Sequence, residues 1–285
     1  MNILAKPYEP LNLGYSNRGT VSMSSSGTGR NVAENLARLE IPVNLVASFG
    51  TDLFGTIMLE ECRTLGINTD FSQITGNTSV HNMILNHNGS TNFGVVTDNN
   101  LIGAEHIKDL DIADSQITVI EAGVYEREIL DGLSECIYML ADTNLKKLQG
   151  HSLQQFHTIQ TTAAEATNLS GFKVMGDSSL NKIGTWFMKA GAKRLIIYLG
   201  KKGIYYRTND DEIRHKPPRV DIKNAVGASA AFMAGVIYGS YHKKSPEYTI
   251  GFAQALAETT SSVDSSVSKK IDPLTIERLN LWRNF

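Results

Sequence analysis

Hydrophobic side chains recur every three or four positions in several segments of the chain, a spacing that places them on one face of an α-helix. The pattern predicts a helix that begins at Arg30 and a second from Leu53 to Leu65, with Gly66 as its stop signal. Five further helices are predicted at residues 125–133, 163–169, 180–190, 228–241 and 246–262.

Short runs rich in β-branched and aromatic residues between these helices predict strands, since such side chains fit a pleated sheet. They cover residues 43–48, 117–120, 137–140, 158–160 and 194–199, with a hairpin arm at 203–206. Two more extended runs, 79–87 and 90–96, are joined by Asn88-Gly89, a dipeptide typical of tight hairpin turns. Residues 21–24 alternate in polarity like a short edge strand.

Strands that alternate with helices imply a mostly parallel sheet with helices on both faces, so the sequence predicts an α/β fold. The extended segments at 10–25 and 79–96 break this alternation, and we expect them to form a small β-sheet that acts as a lid or an interface. A chain of 285 residues is long enough for a single domain with such an appendage.

Composition narrows the class of protein. Hydrophobic residues make up 41% of the chain and charged residues 20%, as expected of a globular protein. The net charge of −2 gives no reason to expect a nucleic acid or an anionic membrane as a partner. No apolar run approaches the ~18 residues of a membrane span, and nothing resembles a secretion signal. We therefore expect a cytoplasmic protein.

The residue types that usually hold metals or act as nucleophiles show no recognisable spacing. Cys62 and Cys136 are far apart in the chain, and Cys62 falls on the apolar side of a predicted helix. We expect it to be a reduced core thiol. The seven histidines have no ligand spacing.

The stretch that most clearly indicates a chemical role is the small-residue turn Gly227-Ala228-Ser229, at the start of the helix predicted at 228–241. The first backbone N–H groups of a helix have no partner within it, and the helix dipole adds positive potential there. Such a turn can bind an anion. The alternative is a buried helix whose small residues allow close packing.

The same stretch resembles the second signature of the ribokinase/PfkB family of carbohydrate and nucleoside kinases. The family has Thr-Gly-Ala-Gly-Asp-Ala-Phe, where this chain has Val-Gly-Ala-Ser-Ala-Ala-Phe at residues 226–232. The resemblance implies an anion hole at Gly227, Ala228 and Ser229. It also places Ala230 at the position of the family's catalytic base, an aspartate.

Two N-terminal segments are similar to the family's substrate motifs. Residues 25–31, Ser-Ser-Gly-Thr-Gly-Arg-Asn, resemble Pro-Gly-Gly-x-x-x-Asn, which implies substrate contacts at Gly27 and Asn31. Without that context the glycines would be a weak partial dinucleotide fingerprint. Asn2 matches an asparagine of the family's first strand, but Leu4 occupies the position of its substrate-holding aspartate. Either a strand is missing from the chain or that carboxylate is.

Two further motifs are similar to the family's nucleotide site. Glu165 matches a glutamate that organises Mg²⁺ near the phosphates, with Thr162 in place of an asparagine. The alternative is a first-turn glutamate favoured by the helix dipole. Gly200 and Gly203 match glycines that let the nucleotide approach the backbone, with Tyr198 in place of a hydroxyl residue. The alternative there is a plain hairpin turn.

The similarity extends from Asn2 to about residue 265 and is strongest to the pseudouridine-kinase-like branch of the family, at residues 8–11, 16–17, 29–39 and 232–235. It implies a ribokinase-like α/β domain over residues 1–285, with lid strands from 10–25 and 79–96. It also implies ATP, Mg²⁺ and often a monovalent cation, a small sugar or nucleoside as substrate, and a homodimer formed through the lid.

Five altered positions, 4, 26, 162, 198 and 230, fall in the presumed site, whereas the helix patterns are intact. Because a fold does not carry its chemistry with it, we expect a family member that binds ligands but is catalytically impaired. Two alternatives stay open: a slow but active kinase of pseudouridine or a sugar, and a non-catalytic regulatory subunit. The sequence does not distinguish a natural Ala230 from an engineered one.

Overall fold

The computed structural model describes residues 1–88, 91–97, 106, 116–121, 137–140, 153–215 and 226–281. The helix expected at 125–133, the tip of the hairpin at Gly89 and the segment that leads into the Gly227 turn lie outside the described residues. The chain forms two compact units: residues 1–102, 221–234 and 256–278 make the first, and residues 103–220, 235–255 and 279–285 make the second. The single-domain organisation stays a prediction.

A six-stranded sheet forms the centre of the second unit. Its strands are β7 (Thr118–Glu121), β8 (Ile137–Leu140), β9 (Phe156–Thr162), β10 (Arg194–Tyr198), β11 (Ile204–Arg207) and β12 (Glu212–His215). Their spatial order is β12-β11-β10-β9-β8-β7. The neighbours from β7 to β10 are parallel, while β11 and β12 are antiparallel. The sheet is therefore mostly parallel, as the sequence predicts.

Helices α3 (Ala163–Ser170) and α4 (Asp177–Lys189) belong to the same unit and cover part of its core. Side chains from both helices pack with strand residues into one apolar cluster that excludes water. Its largest members include Phe156, Ile159, Ile183, Phe187, Leu195 and Tyr205.

The first unit contains the predicted small sheet. It consists of β1 (Asn2–Pro7), β2 (Gly19–Ser24), β5 (His81–Leu85) and β6 (Thr91–Val96), in the order β2-β1-β5-β6. Strand β2 pairs with β1 and lies at the edge of the sheet, as predicted. The central position of β1, parallel to β5, was not predicted from the sequence.

Helices α1 (Thr28–Arg38) and α2 (Leu53–Thr64) of this unit lie within two residues of their predicted bounds. The strand predicted at 43–48 is wrong: only β3 (Ser48–Phe49) forms, parallel to β4 (Gln73–Ile74), after an isolated bridge at Asn44. The backbone N–H of Ala47 donates to the side chain of Ser72 and not to a carbonyl, so the ladder is interrupted. Cys62 is fully buried in the core, as expected.

The C-terminal part of the chain contains α5 (Ala228–Tyr241), α6 (Pro246–Ser261) and α7 (Pro273–Leu281). In the second unit, α5 contacts α6 very closely. A Cβ added to Gly235 would lie 2.3 Å from the Cα of Ala253, and one added to Gly239 would lie 2.3 Å from Thr249 Oγ1. Both contacts need glycine, and they show that the two helices run antiparallel.

Candidate active site

The first unit contains all the residues that were predicted to hold substrate and phosphate. Asn2 lies on β1, Gly27 is the N-cap of α1, and Asn31 is buried within α1. Gly27 has φ 130°, which favours glycine, and its carbonyl accepts from the N–H of Asn31 at 2.8 Å. Gly227 precedes α5, whose first turn begins with Ala228.

A chain of polar side chains connects Asn2 and Asn31, two of the residues predicted to contact substrate. Asn2 Nδ2 donates to Ser266 Oγ at 3.2 Å, and Ser266 Oγ donates to Ser26 Oγ at 3.4 Å. Asn31 Nδ2 donates to the same oxygen of Ser26 at 3.5 Å. Asn2 and Asn31 are therefore neighbours in space, although β1 and α1 are separate elements.

Ser266 is a residue that the sequence did not single out. It is 2% exposed, and its main chain also contacts the phosphate turn. A Cβ added to Gly227 would lie 1.9 Å from the carbonyl oxygen of Ser266. The only feature of the sequence that could have drawn attention to Ser266 was a serine-rich tract at 259–268, and this tract indicated no particular chemistry. Ser266 thus links the substrate residues to the start of α5.

The turn at Gly227, the predicted anion site, opens α5. Gly227 has φ 84°, and its carbonyl accepts from the N–H of Ala231 at 2.9 Å, which closes the first turn of α5. The positive end of the helix dipole lies at this turn. Main-chain donors at such a position can bind phosphate whatever the side chains are.

Ala230 is 1% exposed and contributes a methyl group to this first turn. Glu258 is a buried carboxylate of α6 in the same unit. At about 100° per residue, it lies roughly 140° around α6 from Ala253 and about 180° from Thr249, the residues that face α5.

Glu165 of the second unit caps a helix. Its Oε2 accepts from the N–H of Thr162 at 2.7 Å and from Thr161 Oγ1 at 3.2 Å. In return, Thr162 Oγ1 accepts from the N–H of Glu165 at 3.3 Å, which completes a capping box at the start of α3. Glu165 thus lies in the first turn of α3, as the alternative predicted, and its indirect role toward a metal stays a prediction.

Gly200 and Gly203 form the turn between β10 and β11, which is a hairpin, as the plain alternative predicted. Both have positive φ, 58° and 89°, and the carbonyl of Gly203 accepts from the N–H of Leu199 at 2.9 Å. Burial raises the pKa of Tyr198 at the end of β10. Within the described residues, no group of three or more His, Cys, Asp or Glu side chains could hold a metal.

Asp52 is the N-cap of α2. Its Oδ1 accepts from Thr78 Oγ1 at 2.6 Å and from the N–H of Gly55 at 2.9 Å, and its Oδ2 accepts from the N–H of Thr78 at 2.9 Å. These hydrogen bonds, led by that of the Thr78 hydroxyl, lower the pKa of Asp52. The carboxylate stabilises the entry to α2.

In the part of the chain that the structure describes, no helix is both long and apolar enough to cross a bilayer.

Comparison with known proteins relates the whole chain to one family. The profile of pfkB family carbohydrate kinases matches residues 11–270. Pseudouridine kinase of Escherichia coli is 28% identical over 248 residues, which cover 83% of this chain and 79% of that protein. Ribokinase from Thermotoga maritima superposes with a TM-score of 0.81 at 17% identity, covering 98% of this chain and 95% of that one. Arabidopsis thaliana ribokinase, in complex with ribose and ATP, has a TM-score of 0.78 at 16% identity, with the same coverage.

Proposed function

Because the chain belongs to the pfkB family of carbohydrate kinases, we propose that it binds a small sugar or nucleoside together with ATP but transfers the phosphoryl group slowly or not at all. The observation that carries this proposal is Ala230, buried in the first turn of α5. An acceptor hydroxyl must lose its proton as it attacks phosphorus, and a methyl group cannot accept that proton.

The size of the expected defect follows from the general-base contribution. A positioned base typically speeds a reaction about 10²–10⁴-fold. The main-chain donors of the Gly227 turn do not depend on residue 230, and oxyanion-hole donors typically contribute about 10²–10³-fold each. We therefore expect binding with residual turnover, which a slow but active kinase would also show.

The substrate side of the site supports ligand binding. Asn2 and Asn31 are both buried and belong to one hydrogen-bonded chain with Ser26 and Ser266. Amide and hydroxyl groups of this kind are suited to sugar hydroxyls, since they both donate and accept. The first substrate to test is pseudouridine, because pseudouridine kinase is among the relatives.

The family's kinases depend on ATP, and Mg²⁺ bound with it would neutralise charge on the transferred phosphate. The residues of this chain fit the nucleotide in part. The positive-φ glycines 200 and 203 present bare main chain, and Glu165 retains a carboxylate beside the end of β9. The capping box already uses oxygen Oε2 of Glu165. We therefore propose that Glu165 acts indirectly, by orienting water near a metal.

An exposed apolar face of the four-stranded sheet is the observation that favours a homodimer. Residues paired across a sheet point to the same face, and the registers place five exposed apolar side chains on one face. These are Val21, Met23, Ile84, Phe93 and Val95, which are 71%, 64%, 40%, 59% and 46% exposed. Apolar patches of this kind mark interaction surfaces. We propose that a second copy of the chain covers this face.

Calorimetric titration of the purified chain with ATP and with pseudouridine tests binding, and coupled ADP release with pseudouridine or ribose tests transfer. We expect saturable binding of both ligands, with turnover about 10²–10⁴-fold below that of an aspartate-containing pfkB kinase assayed alongside. Brisk turnover would refute the impairment. If the chain binds neither ATP nor pseudouridine, the alternative of a non-catalytic subunit would be favoured.

A further inference from the structure

A cavity of about 420 Å³ lies in the second unit, at the amino ends of its parallel strands. Arg194 is the first residue of β10, His157 is the second residue of β9, and Ile117 immediately precedes β7. Ligands of open α/β sheets normally bind beyond the carboxyl ends of the strands. Glu165 and Gly200 follow those carboxyl ends, so the cavity lies at the opposite edge of the same sheet.

Three basic side chains line this cavity: Arg194, Lys243 and Lys244. Burial, and then the positive charges of Arg194 and Lys193, lower the pKa of His157 in the same wall to about 4. The carboxylates Asp211 and Glu247 influence Tyr206 of the wall, but neither is among the lining residues. The interior therefore carries positive charge at neutral pH, which favours an anion.

The backbone at Lys243 supplies an independent observation. The N–H of Lys243 donates to the carbonyl of Ser240 at 3.1 Å, and that of Lys244 donates to the carbonyl of Gly239 at 2.8 Å. This pair of bonds is the Schellman end of α5, where glycine is usual because φ is positive. Lys243 has φ 52°. The chain thus has a lysine in the left-handed backbone region at a position that lines the cavity.

The rest of the wall is suited to an uncharged molecular body. Arg194 Nη1 donates to Ser240 Oγ at 3.2 Å, which holds the guanidinium at the wall. A volume of about 420 Å³ is typical of small-molecule sites and larger than a phosphate ion needs. Gln116 and Thr249 also line the cavity, and apolar side chains supply much of the remaining surface: Ile117, Ile196, Val236, Tyr241, Pro246 and Ile250.

We propose that this cavity binds a small organic phosphate monoester, of the size of a sugar phosphate or a nucleoside monophosphate. The phosphate contacts Arg194, whose planar guanidinium matches its oxygens, and the ammonium groups of Lys243 and Lys244. The uncharged body contacts the apolar wall. Because the cavity lies at the edge of the sheet opposite the nucleotide motifs, its ligand is an effector and not a reactant. The inference does not depend on the proposed function.

The test is calorimetric titration of the full chain with ribose 5-phosphate and with uridine 5′-monophosphate. Ribose, uridine and inorganic phosphate serve as comparisons. We expect both monoesters to bind more tightly than any comparison compound. Lys243→Gly removes one charge and relieves the positive-φ strain, so the melting temperature should hold or rise while affinity falls at least about tenfold. Arg194→Gln should weaken binding at least as much.

Lys182→Gln is the matched control, because Lys182 is an exposed lysine of α4 in the same unit and does not line the cavity. Its affinity for the monoesters should equal that of the unaltered chain. Asn31→Ala reports binding at the predicted substrate residues. The proposal is overturned if neither monoester binds, or if inorganic phosphate binds as tightly as they do. Loss of binding in Asn31→Ala with no loss in Lys243→Gly would also overturn it.

Discussion

The carbonyl oxygen of Ser266 lies against the α-carbon of Gly227, so close that a Cβ on Gly227 would stand 1.9 Å from it. This contact joins the loop after α6 to the turn that opens α5. The position of the phosphate turn therefore depends on a glycine at 227 for two reasons, the positive φ of 84° and the missing side chain.

Gly227→Ala should consequently reduce the free energy of unfolding by about 3 kcal/mol, from backbone strain together with overpacking. Urea denaturation measures this. Gly66→Ala is the matched comparison, since Gly66 has φ 71° but no atom within 4 Å of an added Cβ. It should cost only about 1 kcal/mol. Equal losses in the two variants would show that the contact with Ser266 is unimportant.

Ala230→Asp should restore a proton acceptor at the first turn of α5. If the remaining site is intact, turnover should rise about 10²–10⁴-fold, because that is the usual contribution of a positioned base. Coupled ADP release with pseudouridine is the assay. Ala230→Asn, which has the same shape without a basic carboxylate, should remain as slow as the unaltered chain. A similar gain in both variants would argue against a general-base role at this position.

Ser266→Ala removes the hydroxyl that accepts from Asn2 and donates to Ser26. We expect a loss of about 1 kcal/mol in stability and weaker binding of pseudouridine, because Asn2 loses its orientation. Ser262→Ala is a suitable control, since that exposed hydroxyl donates to a carbonyl of its own helix, Thr259. Calorimetric affinities that match in both variants would remove Ser266 from the site.

His157 predicts how stability responds to pH. Its pKa is lowered to about 4 in the folded chain, chiefly by burial, whereas an unfolded histidine titrates near 6.5. Between these values the unfolded chain binds the proton and the folded chain does not, so stability falls as the pH drops from 6.5 toward 4. In His157→Gln this part of the pH dependence should disappear. Urea denaturation at pH 5 and pH 7.5 measures it, and an unchanged difference between the two pH values would contradict the assignment.

Phe93→Glu should dissociate the proposed homodimer, because it places a charge on the exposed apolar face of the four-stranded sheet. Ser22→Glu adds the same charge to an exposed position of β2 in the same sheet but on the opposite face, because Ser22 lies between Val21 and Met23 in a regular register. Sedimentation velocity should therefore show monomers for the first variant and dimers for the second. A monomer in the unaltered chain would exclude this interface.

Local patterns predicted the helices well because the apolar spacing and the caps are short-range signals. Asp52 and Gly66, for example, mark the two ends of α2 within one or two residues. Strand β8 was predicted at its observed bounds. The place of β1 could not be predicted in the same way, since its partner β5 lies about 80 residues further along the chain, as the pairing of Asn2 with His81 shows.

The candidate site shows the same difference between short-range features, which the sequence reveals, and long-range contacts, which it does not. The replacement of the base by Ala230 is visible in the sequence, because it falls within a recognisable motif. Ser266 is not, because its contacts with Asn2 and Ser26 span 264 and 240 residues. The strand prediction at 43–48 was wrong for a third reason. The side chain of Ser72 accepts the hydrogen bond that a neighbouring strand would have accepted.

The start of α5 has a further consequence for how this chain can change. The phosphate recognition proposed there would rely on main-chain atoms, whereas proton removal would rely on one side chain. A substitution at one side chain can therefore abolish proton removal and leave phosphate recognition unchanged, so the two properties can be lost independently. A protein in that condition can act as a sensor, reporting the presence of a phosphorylated compound without consuming it.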